Sequence, residues 1–464
     1  MLLSTSTYFL FLAGVFLLYW PLSQRRAAAL AVILFANYFF LARWHIAAVA
    51  VIPVASTIDY LIGQGLARAT GTLSRRMLVA ASIVLNVGLI VFLRYMPFLL
   101  ASWAGATGGQ AKAWPWVLPI SVSFYAFQSL TYTIDLYRRD ASPTSSYLAY
   151  LSAASFFPTV LSGPITRVSS LISQLEKRPA LDNDAAGRAF FLIGLGLMKK
   201  LAIADYLASN LVNRVFDFPN LYSGTEVLLA VYAYAIQLYC DFSGYTDMAI
   251  GSALLLGIKL PANFNAPYSA ANLTDFWRRW HISLSNWLRD YLYFSLPGAR
   301  SKFLPYLNLT ITMLIGGLWH GPSWNFAIWG ALHGVGLAVL RLVQGSNKPG
   351  ADSAPIRVLK IIATLHFVTF AWIFFRSPSF ELASAILGRI SSLSVSFANV
   401  SGGLWFVFAI AWVGHFVPAK WFDGSLRLAM RMPFYAQAAA LAAVWIGLAK
   451  VSQSGAVPFI YNKF

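Results

Sequence analysis

The chain has 464 residues, 58% of them hydrophobic and 11% charged, where a soluble globular protein carries roughly 25% charge. The deficit extends along nearly the whole length and excludes an ordinary soluble enzyme. A net charge of +18 would point to nucleic acid on a soluble protein. Here the Lys and Arg residues fall between apolar runs, as they do when they orient membrane helices, so no nucleic-acid partner is expected. Cys240 is the single cysteine, which excludes an intrachain disulfide and a cysteine-rich metal site, and no metal is expected.

Apolar runs long enough to cross about 30 Å of hydrocarbon recur from end to end. Spans are expected near 5–20, 27–42, 46–66, 77–100, 115–137, 188–211, 225–256, 303–320, 324–344, 356–375, 403–418 and 434–451. The fold class is therefore an all-α polytopic membrane protein with about 11–12 transmembrane helices. It reads as one integral membrane domain over 1–464, with no soluble appendage. The first span has no basic residue before it and no clear cleavage site, so it reads as a retained helix. Arg25 and Arg26 follow the first span, Arg68, Arg75 and Arg76 the third, Arg138 and Arg139 the fifth. The loops between hold little more than Arg43 and Lys112, so the N-terminus is expected outside and the three basic loops inside. A shorter apolar piece near 147–163 reads as re-entrant. Arg167–Arg188 reads as a polar stretch, and Gln344–Arg357 as a surface loop.

The span 225–256 carries "YCDFSGYTDMAIG", which places Asp241 and Asp247 in an apolar setting. Carboxylates there need partners, and Arg residues of other spans are the expected ones, with Asp135 beside Arg138 a similar case. Cys240 lacks a neighbouring His in sequence and is a weak nucleophile candidate. Next comes "TDFWRRWHISLSNWLRDYLYF", Thr274–Phe294. Drawn as one helix, it puts Phe276, Trp277, Trp280, Leu284, Trp287, Leu288 and Tyr291 on one arc. Arg278, Arg279, Asn286, Arg289 and Asp290 fall on the other, with His281 at the edge. Thr274 or Asp275 is the expected cap. The pattern is that of an interfacial helix, and Arg278, Arg279, Arg289, Arg300 and Lys302 put it on the cytoplasmic side.

From there "FLPYLNLTITMLIGGLWHG" enters the membrane. Sixteen helical residues from Leu304 to Trp319 rise roughly 24 Å, which carries His320 deep. Gly316, Gly317, Gly321 and Pro322 interrupt the backbone there, which is tolerated only inside protein or beside a watery cavity. Ser323 is placed to cap the next helix, which carries Asn325 and His333. An imidazole at that depth can move a proton between a hydroxyl and a leaving group, or it can simply be packed. His281 has the same two readings, at a different depth. His333 reads as helix packing. There is no Walker loop, GxGxxG or HExxH motif. The sequons at Asn272 and Asn308 fall at the cytoplasmic face or in a span and read as chance.

"DFWRRWHISLSNWLRDYLY" (275–293), "GGLWHGPSWNFAIWGALHG" (316–334), "FQSLTYTIDLYRR" (127–139), "DFSGYTDMAIG" (241–251) and "NFNAPYSAANLTDFW" (263–277) resemble the membrane-bound O-acyltransferases. With "YFLFLAGVFLLYW" and "PFIYNKF" the likeness covers nearly the whole chain, and 137–464 holds the main motif-bearing core. The alginate O-acetyltransferase branch looks closer than the teichoic-acid D-alanyl branch. The resemblance implies a fold built around a transmembrane tunnel, with His320 and His281 as the catalytic residues. It implies acetyl-CoA or another acyl-CoA as donor substrate and no bound cofactor. It also implies a bacterial inner (cell) membrane location, a polysaccharide acceptor and a periplasmic SGNH/esterase-like partner. On that footing Arg278, Arg279 and Arg289 would meet CoA phosphates, while Trp319, Ser323 and Asn325 would contact the acceptor or the developing oxyanion. Two other classes remain: a transporter or flippase, which also uses broken helices with buried Asp and His, and a scaffold for a periplasmic enzyme.

Overall fold

A computed structural model describes residues 1–116, 121–298, 303–344 and 353–451. Their regular structure is helical, with no strand among the described residues. In chain order the first helices are α1 (Ser6–Leu22), α2 (Arg26–Ala42), α3 (Ala48–Arg68), α4 (Thr72–Ile90), α5 (Met96–Thr107), α6 (Ser121–Arg138), α7 (Tyr147–Ala154), α8 (Phe157–Val160), α9 (Val168–Leu175) and α10 (Asn183–Leu197). They are followed by α11 (Asp205–Leu207), α12 (Asn213–Asp217), α13 (Gly224–Leu255), α14 (Leu273–Arg279), α15 (Ile282–Trp287) and α16 (Leu304–His320). The rest are α17 (Trp324–Gln344), α18 (Ala354–Arg376), α19 (Phe380–Ser391), α20 (Gly402–Phe416), α21 (Ala419–Arg431) and α22 (Phe434–Val451).

Each expected span falls largely on helix among the described residues, with ends that differ by a few residues. Among the described residues, five helical stretches are long and apolar enough to cross a membrane: Ala48–Arg68, Thr72–Thr107, Gly224–Leu255, Trp324–Gln344 and Ala354–Arg376. α1 and α2 are shorter apolar helices, and α20 turns through 93° into α21. Arg300, Lys302 and the segment "PFIYNKF" lie outside the described residues. The backbone groups into two compact units interleaved along the chain. One takes Met1–Ile193, Tyr245–Pro261 and Ala429–Ala438. The other takes Gly194–Gly244, Ala262–Leu428 and the described residues from Ala439 on.

In the first unit α3 packs against α4 and α6 around a buried carboxylate. Asp59 accepts from Ser82 at 2.6 Å, Asn86 at 2.7 Å and Ser129 at 2.6 Å. These donors stand on α4 and α6, so one side chain ties three helices together. α7 and α8 are each too short to cross a membrane, and a break at Ser155–Phe156 separates them. Asn37 of α2 fills the break: its amide donates to Ser152 O at 3.0 Å, and its oxygen accepts from Phe157 N at 2.8 Å. The stretch read as polar after Arg167 is partly helical, as α9, whose Val168, Leu171, Ile172 and Leu175 are buried. Asp135 pairs with Arg167 at 3.7 Å.

In the second unit the partner of Asp241 is a lysine, where an arginine was expected. Lys200 Nζ lies 2.8 Å from Asp241 and 2.7 Å from Asp205, and all three are buried. Lys200 stands in a π-helical turn, Met198–Ala204, just after α10. The wider turn changes which residue faces α13, an offset that a strict helical period misses.

α16 and α17 form a tight hairpin. A Cβ on Gly317 would lie 2.3 Å from the Phe326 carbonyl oxygen, and one on Gly330 2.5 Å from that of Met313. Only glycine permits this approach, the small-residue packing of helices in lipid, where apolar burial gives no driving force of its own. The connection is Gly321–Ser323, and Ser323 caps α17 by accepting from Asn325 N at 3.2 Å, as expected.

The stretch 274–294 is not one helix. It breaks at Trp280–His281, where His281 adopts left-handed φ 42°, ψ 54°. α15 follows and passes into a π-helical turn, Leu288–Leu292. The cap of α14 is Asn272, which accepts from Asp275 N at 2.8 Å, and not Thr274 or Asp275. The aromatic arc is buried in protein: Phe276, Trp280 and Leu284 are at most 1% exposed. Its rings meet Trp372 and His333, the face expected to lie in the headgroup region.

Candidate functional site

The break at His281 turns its ring inward. The segment before α14 runs beside the break, with Ile282 N donating to Asn263 O at 2.9 Å and Asn265 N to Arg279 O at 3.0 Å. These bonds hold a non-glycine residue in a backbone region that costs about 1–3 kcal/mol. Asn263 Oδ1 then accepts from Ser283 N at 3.1 Å and Ser283 Oγ at 2.9 Å, and lies 3.1 Å from His281 Nδ1. A backbone N–H can only donate, so the atom it meets is the carboxamide oxygen. His281 Nδ1 must therefore carry the proton, which leaves Nε2 as the basic nitrogen. The ring is fully buried, which disfavours its charged form.

His320 ends α16, 2% exposed. Its ring is 5.1 Å from Trp319, 5.2 Å from Trp329 and 5.1 Å from Phe375. The two histidines are neighbours, with ring centroids 6.5 Å apart. Trp319 touches both, at 5.1 Å from His320 and 6.2 Å from His281, and Phe242 lies 4.7 Å from His281. The result is a pair of imidazoles inside an aromatic wall, all in the second unit. Two bases so placed can take and return a proton on one small group, with bulk water held off by the rings.

The other expected site residues are distributed differently. Arg278 is exposed. Arg279 is paired with Asp275 at 2.8 Å, and Arg289 with Asp290 at 2.8 Å. The Asn325 amide donates to Ser377 O at 2.8 Å, tying α17 to the end of α18. Ser323 is the cap described above. His333 accepts from Trp277 Nε1 at 3.3 Å within a cluster of rings, consistent with packing, and Cys240 is buried. Asn263 is the residue that sequence reasoning missed. It opens the quoted stretch "NFNAPYSAANLTDFW", and its signal was a polar side chain just ahead of an aromatic-rich segment.

The model of the membrane-bound O-acyltransferase family matches residues 136–376, more than half of the chain, and His281, His320 and Asn263 fall within it. The chain belongs to the membrane-bound O-acyltransferase family. This O-acyltransferase is 38% identical over 390 residues to a probable alginate O-acetylase of Azotobacter vinelandii, covering 82% of the chain and 76% of the relative. It is 33% identical over 394 residues to a peptidoglycan O-acetyltransferase of Helicobacter pylori, covering 79% and 74%. A teichoic acid D-alanyltransferase of Bacillus subtilis is 32% identical over 243 residues, covering 49% and 60%. The enzyme is therefore a multi-pass membrane acyltransferase that acts on hydroxyl acceptors.

Proposed function

We propose that the enzyme moves an acetyl group from cytosolic acetyl-CoA to the hydroxyl of an extracytoplasmic polysaccharide, alginate or a similar envelope glycan, from a bacterial inner membrane. The observation that carries this reading is the His281–His320 pair, with rings 6.5 Å apart and Trp319 against both. In the proposed reaction His320 accepts the proton of the acceptor hydroxyl as its oxygen attacks the thioester carbonyl. The tetrahedral intermediate collapses with cleavage of the C–S bond. The His320 imidazolium returns its proton to the departing CoA sulfur. His281, with its own proton held on Nδ1, offers Nε2 to the same proton and steadies the imidazolium. The aromatic walls keep out water that would hydrolyse the thioester. Arg278, Arg279 and Arg289 supply positive charge for the CoA phosphates, and Arg279 and Arg289 exchange their neighbouring carboxylates for it. The acceptor hydroxyl is either the glycan's own or the serine of a periplasmic SGNH/esterase-like partner.

The test is CoA release from acetyl-CoA by the protein in nanodiscs, with and without a soluble envelope extract. Wild type should release CoA when the extract is present. His320→Ala and His281→Ala should each lower the rate by about 10²–10⁴-fold, the usual weight of acid–base catalysis. Undiminished release by a folded His320→Ala protein would remove the mechanism.

A further inference from the structure

The second unit holds a groove of about 770 Å³ that the acyl-transfer reading does not use. One wall is the i, i+3, i+4 stripe of α17 from Ile328 to Val343, which rises roughly 22 Å. The other wall is α18 from Lys360 to Phe367, and Leu273 closes the floor. The floor is tight: a Cβ on Gly336 would meet Leu273 at 2.6 Å and Phe367 at 3.0 Å. The walls are apolar and open outward, with Val335 52% and Val343 79% exposed. The polar groups along the groove serve the fold. The Thr364 hydroxyl donates to Lys360 O at 2.8 Å, and Asn272 caps α14. Lys360 is the one charged side chain among the described lining residues, and it stands at the end of the groove where α17 finishes and α18 begins. Arg341 and Arg357 belong to the same end.

We propose that this groove is a binding site for one acyl chain of an anionic membrane phospholipid, with Lys360 meeting the headgroup phosphate. A long apolar furrow on two helices that face lipid takes a hydrocarbon chain without desolvation cost. Of the basic residues at this end only Lys360 lines the groove, so it is the one that selects the headgroup charge of the bound lipid, worth about five-fold in affinity per basic residue near the surface. The occupant lies against Phe367, whose ring is 5.7 Å from His333, which in turn packs on Trp329 at 4.9 Å beside His320. The bound lipid thus backs the wall of the histidine pair without entering it.

The experiment is native mass spectrometry of the full chain in detergent, titrated with phosphatidylglycerol or phosphatidylcholine. Wild type should hold one phosphatidylglycerol with about five-fold preference over phosphatidylcholine. Lys360→Gln should keep a lipid and lose the preference. Ala363→Trp, which fills the groove, should lose that lipid altogether. If it does not fold, Val335→Trp serves, since that side chain starts half exposed. Equal occupancy in wild type and the filled variant overturns the site, and an unchanged preference in Lys360→Gln overturns the headgroup contact. A wild-type dimer that the filled variant lacks, with no lipid retained by either, overturns the proposal in favour of a second copy of the chain.

Discussion

The Asn263 carboxamide governs which nitrogen of His281 can take a proton, and this gives it an effect that no contact with substrate would require. Replacing it with Asp puts a negative charge about 3 Å from Nδ1, which stabilises the imidazolium and raises the ring's pKa. A base with a raised pKa stays protonated to higher pH. An acidic limb of kcat/KM that reports His281 is therefore expected to move to higher pH in Asn263→Asp, as followed by CoA release between pH 3 and 9. Asn263→Ala should instead lower kcat while leaving the limb where it is. An unchanged profile in both variants would reduce Asn263 to a loop tie. At this scale the sequence was readable where chemistry and motif coincide, in His320 and His281. Asn263 was hidden because its partner is 18 residues away and the pairing depends on a left-handed turn that no local pattern announces.

At the scale of elements, helix periodicity located the spans well, because a lipid-facing run needs only length and apolarity. It failed where hydrogen bonding departs from the regular period. The Thr274–Phe294 stretch has a good amphipathic arc, and the arc residues are indeed buried. Tertiary bonds to Asn263 nevertheless override helical continuity at His281. The π-turn at Met198–Ala204 likewise delivers Lys200 to Asp241. Two predictions belong here. Gly317→Leu forces α16 and α17 apart and should lower the thermal midpoint, overpacking costing about 1–3 kcal/mol, and should reduce CoA release as His320 moves. Gly88→Ala, with nothing within 4 Å of its Cβ, should leave both unchanged. The second concerns Lys200→Met, which leaves Asp205 and Asp241 without their lysine. Breaking a buried pair in this way costs about 3–5 kcal/mol, so yield in the membrane should collapse. Adding Asp205→Asn and Asp241→Asn should recover much of it. Full yield from the single variant would show that the triad carries little.

For the whole molecule, the distribution of basic loops predicts orientation, which can be checked without any activity assay. Cys240 is buried, so single introduced cysteines can be read against a quiet background. Ser74 and Gly109 are both exposed, near opposite ends of the stretch from α4 to α5. A membrane-impermeant maleimide added to intact cells should label Gly109→Cys. Ser74→Cys should react only after permeabilisation. The reverse pattern would invert the topology and with it the side from which acyl donor arrives.

The α16–α17 hairpin also bears on how the chain is made. Its two helices are joined by Gly321–Ser323 alone and touch backbone to backbone at Gly317 and Gly330. So short a link favours entry of the two helices into the bilayer as one hairpin. His320 at its bend then arrives beside Trp329 of the following helix. The polar group on which the proposed chemistry depends is shielded by the same hairpin that carries it.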